Sequence, residues 1–229
     1  MTFTEKFYQN FIEENRYMYL INGLKNTLLI TVFALLLGVL VGFIIAVIRT
    51  TYDKTGKLRI LSAICKVYLT VIRGTPVMVQ LLIIYYVIFA SARIDKLVVT
   101  SLAFGLNSAA YVAEIIRSGI MSIDNGQMEA GRSLGMSYVM TMIYIIAPQA
   151  FKNVLPALAN EFIVLLKETS VSGYIGTMDL TRGGDIIRSV TYEALLPLFA
   201  VALIYLVIVM LLSAGVGKLE RRLRVSERR

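Results

Sequence analysis

Leu24–Ile48, LKNTLLITVFALLLGVLVGFIIAVI, decides the fold. Its 25 residues carry no acidic group. As a helix the run measures about 37 Å at 1.5 Å per residue. A bilayer core of about 30 Å requires roughly 20 apolar residues. Backbone polar groups are satisfied in lipid only by helices or closed barrels. A barrel would show short alternating segments, whereas this run is long and unbroken. Within it Ala34, Gly38, Gly42 and Ala46 recur every fourth residue. Such a stripe of small residues lets another helix approach closely. It speaks of helix packing and says little about chemistry.

The remainder of the chain agrees. Of 229 residues, 57% are hydrophobic and only 17% charged, and the mean hydropathy is +0.72. A soluble domain of this size is nearer half apolar and richer in charge. The fold class is therefore an all-α polytopic membrane protein. The net charge of +8 reads as basic inner loops in place of nucleic-acid binding. Cys65 is the single cysteine, so no internal disulfide forms. The absence of histidine weakens metal, proton-shuttle and triad chemistry together.

Working outward, five spans are predicted, at about 24–48, 66–90, 97–117, 151–166 and 194–216. Residues 1–22 lack the apolar core of a secretory signal and carry Glu5, Glu13 and Glu14. Phe3, Phe7 and Phe11 recur every four residues, with Tyr8 and Ile12 beside them. The pattern predicts an amphipathic helix in the membrane interface, or one packed on neighbouring spans. Arg73-Gly74-Thr75-Pro76 starts the second span or kinks it. The stretch from Lys167 to Tyr192 is polar and Gly-rich, and residues 218–229 form a basic tail. Counting Glu114 and the tail with the inside, that side carries a formal +9 and the outside −1. The bias predicts the N-terminus outside and the C-terminus in the cytoplasm.

One cytoplasmic segment is not a plain loop. In Asp124–Pro148, DNGQMEAGRSLGMSYVMTMIYIIAP, the first three residues are turn chemistry, and Asp124 or Asn125 can cap a helix. Gln127–Leu134 makes two helical turns, and Gly135 suits the left-handed residue that ends them. Ser137 can cap a second helix, Tyr138–Ala147, which Pro148 is expected to stop. Ala130 and Gly131 leave the first helix with a bare face that can slot into a groove on a partner.

The spacing Glu129-Ala130-Gly131, three residues, Gly135, nine residues, Ile145, one residue, Ala147-Pro148 resembles the EAA loop of ABC importer permeases. Gly131 and Ala147 depart from that pattern, which has Ala and Leu there. VIRGTPVMVQLLIIYY (71–86), SAAYVAEIIRSGI (108–120) and NEFIVLLKETS (160–170) resemble the polar amino acid branch, of the histidine, glutamine and arginine type. The resemblance implies a type I importer permease in a bacterial inner membrane. It implies a coupling helix at Glu129, Ala130, Gly131 and Gly135 that docks on a separate ATPase subunit. It also implies a second permease copy or paralogue, and an external or periplasmic amino-acid-binding protein. ATP and Mg would sit on the partner, with no cofactor on this chain. The sequence contains no G-x-x-x-x-G-K-[ST] loop for phosphates.

For the substrate, Glu161 stands midway along the fourth span, where a carboxylate costs about 2.5–3.5 kcal/mol on insertion scales. It is expected to meet a cationic or α-amino group, or else a structural partner such as Lys167. Gln80 and Asn107 are further intramembrane candidates, with interhelical hydrogen bonds as their alternative. Asn160 points about 100° away from Glu161 on a helix. Arg73, Glu114 and Arg117 read as helix-end electrostatics or gate contacts. Arg182–Asp185 faces outward, as a contact for a delivery protein or as a solvated loop. Basic amino acids suit a carboxylate in the path; glutamine, glutamate or cystine stay open. An intramembrane enzyme would need ligands or a nucleophile and base that the sequence lacks. A non-transporting scaffold or sensor would not need Glu161 on a path.

Overall fold

The computed structural model describes residues 2–225. Those residues form helices and no strand. Helix α1, Phe3–Phe7, starts in a reciprocal cap between Thr2 and Glu5. A π turn, Tyr8–Ile12, and a 3₁₀ turn, Glu13–Asn15, follow it. Glu14 and Asn15 have positive φ, so the helix expected over residues 1–22 ends there. Phe11 packs with Leu20, Leu180, Ile187 and Val201, while Phe3, Phe7, Tyr8 and Ile12 stay exposed. The segment is thus packed on one face and open on the other.

Helix α2, Tyr17–Thr55, is one helix of 39 residues. It contains the expected 24–48 span and runs past both ends. The division placed at residue 22 falls inside it, because an established helix propagates through Asn22-Gly23 at one hydrogen bond per residue. Gly56, at φ +68, ends it. Helix α3, Arg59–Gly74, and helix α4, Val77–Ile83, with a π turn to Ile88, replace the expected 66–90 span. They are bent by 110°. Thr75 and Pro76 are both extended at the break. A residue before proline avoids the helical region, and proline has no N–H to continue the ladder.

Helix α5, Lys96–Met121, lies along α2, and the stripe of small residues makes the contact. A Cβ on Gly42 would sit 2.8 Å from the Ala109 carbonyl oxygen, and one on Gly38 would sit 3.0 Å from the Ser108 side chain. No larger residue fits without driving the backbones apart. Ile30, Ala34, Leu81, Ala103, Phe104 and Leu165 form the central core.

Helices α6, Asn125–Ser133, and α7, Tyr138–Thr141, make the hairpin, and α8 spans Ala147–Glu168. Pro148 does not stop the second helix. A π turn, Met142–Ile146, joins α7 to α8, and the Ala147 N–H donates to the Met142 carbonyl, one residue wider than an α turn. That local register accommodates a residue without an N–H. The expected 151–166 span is accordingly longer at its start.

Part of the polar stretch 167–192 is ordered into a 3₁₀ turn, Thr169–Ile175, and helix α9, Leu180–Thr191. Helix α10, Leu195–Val225, continues through the region assigned to the tail; residues 226–229 of that tail lie outside the described residues. The Tyr17 end of α2 meets α9, where a Cβ on Gly183 would touch the Tyr19 carbonyl. The Thr55 end meets α6 through Lys54 and Asn125. Val201 of α10 packs near the α9 end, while Glu220 shares a cavity with Lys152 and Asn153 at the start of α8. The two ends of the described chain therefore lie at opposite ends of the bundle, as five crossings require.

Candidate functional site

Glu161 is carried by α8 and is only 8% exposed. The Ser108 hydroxyl on α5 donates to its Oε1 at 2.9 Å. Among the described residues Glu161 has no ion-pair partner; the alternative bridge to Lys167 does not form. Its carboxylate borders a cavity of about 530 Å³, whose polar lining includes Arg73, Tyr111, Glu114, Ser118 and Asn153. Asn160 instead lines a different cavity between α8 and α10, with Pro156, Ser213 and Glu220. The 100° step along the helix separates the two neighbours as the sequence suggests.

Arg73 reaches this cavity because the α3–α4 bend places it there. Its guanidinium lies over the Tyr111 ring, 5.9 Å from the centroid. It approaches Glu114 at 3.8 Å, the outer limit of an ion pair, and its side chain is 45% exposed. Glu114 is held more tightly by Arg117, at 2.7 Å. Arg117 also faces Asp53 of α2 at 3.7 Å. From the sequence, Arg73, Glu114 and Arg117 read as helix-end electrostatics or gate contacts. The first two line the cavity together with Tyr111 and Ser118, while Ser108 touches Glu161. The helical spacing of Tyr111, Glu114 and Ser118 on α5, three, four and seven apart, held part of that signal.

Gln80 and Asn107 have a different place. The Gln80 Nε2 donates to the carbonyls of Ile72 and Thr75 and to the Thr75 hydroxyl, at 2.7–3.0 Å. Its Oε1 accepts from Asn107 Nδ2 at 2.9 Å. The pair satisfies the carbonyls freed at the bend, and neither residue borders the Glu161 cavity.

At the hairpin, Asp124 accepts from the Gly126 N–H at 2.7 Å, and Ser137 accepts from the Met140 N–H at 3.2 Å. Gly135 has φ +84. Met136 N–H bonds the Gly131 carbonyl and Gly135 N–H that of Arg132, the paired closure of a helix ending in a left-handed residue. Glu129 and Ala130 lie on this short helix, α6, whereas Gly131 is buried against α7. A Cβ there would lie 2.5 Å from Thr141 Cγ2, which accounts for glycine in place of alanine.

Comparison with known proteins bears on the family and the fold. Residues 38–225 match the family model described as binding-protein-dependent transport system inner membrane component. The arginine transport system permease protein ArtQ of Bacillus subtilis (strain 168) is 38% identical over 211 residues, covering 91% of this chain and 94% of that protein. The glutamine transport system permease protein GlnP of Escherichia coli (strain K12) is 38% identical over 209 residues, covering 90% and 93%. A solved amino acid ABC transporter with histidines matches at a TM-score of 0.83 and 44% identity, over 93% of this chain and 98% of that one. An inward-facing MetNI methionine ABC transporter matches at a TM-score of 0.73 and 19% identity, over 90% and 97%, and shares the fold.

Proposed function

Because the chain belongs to the family of binding-protein-dependent transport system inner membrane components, we propose that it forms the membrane path of an ATP-driven importer for basic amino acids. The observation that carries the substrate reading is Glu161, a buried cavity-lining carboxylate that has no ion-pair partner among the described residues. A free amino acid supplies that cation as its α-ammonium or its side chain. Its α-carboxylate finds Arg73, which is only loosely engaged by Glu114. Binding exchanges the hydration of both groups for charge-assisted hydrogen bonds. Two carboxylates and one guanidinium line the cavity, so a substrate with an extra positive charge is favoured over a neutral one. Glutamine is the second reading, since the GlnP relatives carry that name and a zwitterion alone can bridge Arg73 and Glu161.

The energy source lies outside this chain. A separate ATPase subunit, carrying ATP and Mg, docks on α6 through the surface around Glu129 and Ala130. A second permease copy or a paralogue completes the path, and an external amino-acid-binding protein delivers the substrate. ATP-driven closure of the partners favours one of two permease conformations. The excess of basic residues at the α6 end supports placing that end in the cytoplasm and the N-terminal segment outside an inner membrane.

The test is uptake by the complete complex, permease pair with its ATPase and amino-acid-binding protein, in proteoliposomes, using arginine, lysine, histidine, glutamine and glutamate. Uptake of the cationic members is expected, and Glu161→Gln should abolish it while the complex still assembles. Unchanged arginine uptake by Glu161→Gln would remove Glu161 from the site.

A further inference from the structure

We propose that the ion-pair row Arg73–Glu114–Arg117–Asp53 reports occupancy of the Glu161 cavity to α6, with Asp53 and Arg117 as positioning residues that touch no substrate. The inference rests on the cavity reading above. The row begins inside the cavity, at Arg73 and Glu114. It leaves the cavity at Arg117, which is bound to Glu114 at 2.7 Å and faces Asp53 at 3.7 Å. Asp53 stands in the last turn of α2 beside Lys54, whose ammonium donates to Asn125 Oδ1 at 2.9 Å. Asn125 is the first residue of α6. Four polar contacts thus connect a cavity wall to the docking helix across α3, α5, α2 and α6.

The contacts are uneven, which leaves the row room to move. Glu114 Oε2 lies between Arg117 Nε at 3.4 Å and Arg73 at 3.8 Å. Arg117 holds Glu114 through Nε and Nη2 and reaches Asp53 with Nη1 at 3.7 Å, so a pull toward Glu114 lengthens the second contact. A substrate carboxylate on Arg73 competes with Glu114 for the same donors. Glu114 then turns wholly to Arg117, and Arg117 gives up Asp53. The α2 end is released from α5 but remains tied to α6 through Lys54. Empty, the row adds a side-chain tie between α5 and the Thr55 end of α2, which holds Asn125; filled, that tie is gone and the start of α6 can shift with the α2 end. A ligand moves an equilibrium only through differential contact with the two states, and competition at Arg73 is that contact. Reciprocity follows: docking that displaces α6 changes the affinity of the cavity.

The experiment uses the reconstituted complex of this chain with its ATPase, and L-arginine as probe. Two quantities are read, binding of labelled L-arginine and the ratio of ATP hydrolysis with and without it. Asp53→Asn should keep binding and basal hydrolysis at wild-type levels and lose the response to L-arginine. A loss of roughly five-fold or more in that ratio is the low end of ordinary allosteric coupling. Arg117→Gln breaks the row one residue nearer the cavity and should give the same loss. The charge swap Asp53→Arg with Arg117→Asp should restore part of the response. The proposal is overturned by an intact response in Asp53→Asn or Arg117→Gln, by a swap that restores nothing, or by a wild-type complex that ignores L-arginine. Failure of the cavity reading is distinct: it appears as L-arginine binding that Glu161→Gln does not weaken.

Discussion

Ser108 and Glu161 face each other across the α5–α8 contact, hydroxyl to carboxylate at 2.9 Å, both buried. The pairing explains how a carboxylate is held at mid-span without a cation. It engages Oε1 and leaves the second carboxylate oxygen without a protein hydrogen bond among the described residues. Ser108→Ala removes the donor and strands the acceptor. A buried acceptor left unpaired costs about 1–3 kcal/mol, so the thermal midpoint of the purified complex should fall. In a Glu161→Gln background the same substitution should cost less, because a neutral amide is cheaper to bury unpaired. Equal losses in both backgrounds would mean that the hydroxyl does not act on Glu161.

Gln80 serves the bend and not the cavity, which sets it apart from Glu161 in a measurable way. Gln80→Leu removes four hydrogen bonds and frees the carbonyls of Ile72 and Thr75. The Asn107 amide, which is buried, also loses its acceptor; a buried polar group left unpaired costs about 1–3 kcal/mol, so a loss of thermal stability is expected. Among molecules that still transport, the order of preference within an amino-acid panel should be that of the wild type. A changed order would return Gln80 to the substrate site.

Asp179 caps α9 by accepting from the Arg182 N–H at 2.7 Å, and it is fully buried. Burial pushes its carboxyl up to about 6, against the opposing pull of the Arg182 amide and the Ser172 hydroxyl. The folded state therefore holds a proton that the unfolded chain releases above its ordinary value of 3.8. Its contribution to stability is greatest below about pH 4, declines as pH rises toward 6, and stays at its lowest above that. The span of that decline is on the order of 3 kcal/mol. Asp179→Asn keeps a cap oxygen and cannot titrate. It should flatten thermal stability between pH 4 and 6 and raise it at pH 7. A variant that follows the wild-type pH curve would show that another group titrates there.

The sequence was most legible where one physical effect dominates. Continuous hydropathy marks α2, and the four-residue period of Ala34, Gly38, Gly42 and Ala46 marks its contact with α5. Turn chemistry marks α6, because Asp124, Gly135 and Ser137 act within a few residues of themselves. The readings that failed depend on geometry between distant parts. Hydropathy cannot tell where α2 stops, since polar turns outside the lipid continue the same hydrogen-bond ladder. Pro148 looks like a stop because the π turn that accommodates it leaves no mark in composition. Arg73 looks like a helix end, which it is, but only the bend at Thr75-Pro76 brings that end over Tyr111. Gln80 and Asn107 look alike as intramembrane amides, and nothing in the sequence pattern says that each is the other's partner, 27 residues away.

Gly131 gives the sharpest test of the hairpin. Alanine at this position gains about 1 kcal/mol of helix propensity over glycine. It also places a Cβ 2.5 Å from Thr141 Cγ2 and 2.9 Å from its hydroxyl. That hydroxyl donates to the Ser137 carbonyl at 3.0 Å, so the side chain cannot turn away without losing the bond. Overpacking of this kind costs about 1–3 kcal/mol, which outweighs the propensity gain. Gly131→Ala should therefore loosen α6 from α7 and weaken capture of the ATPase in a pull-down from detergent. Thr141→Ser removes the methyl and keeps the hydroxyl. Added to Gly131→Ala, it should restore part of the capture, since the 2.5 Å contact goes and the 2.9 Å contact with the hydroxyl stays, and by itself it should change little. If Gly131→Ala alone binds the ATPase as well as the wild type, the close approach of α6 and α7 is not what shapes the docking surface.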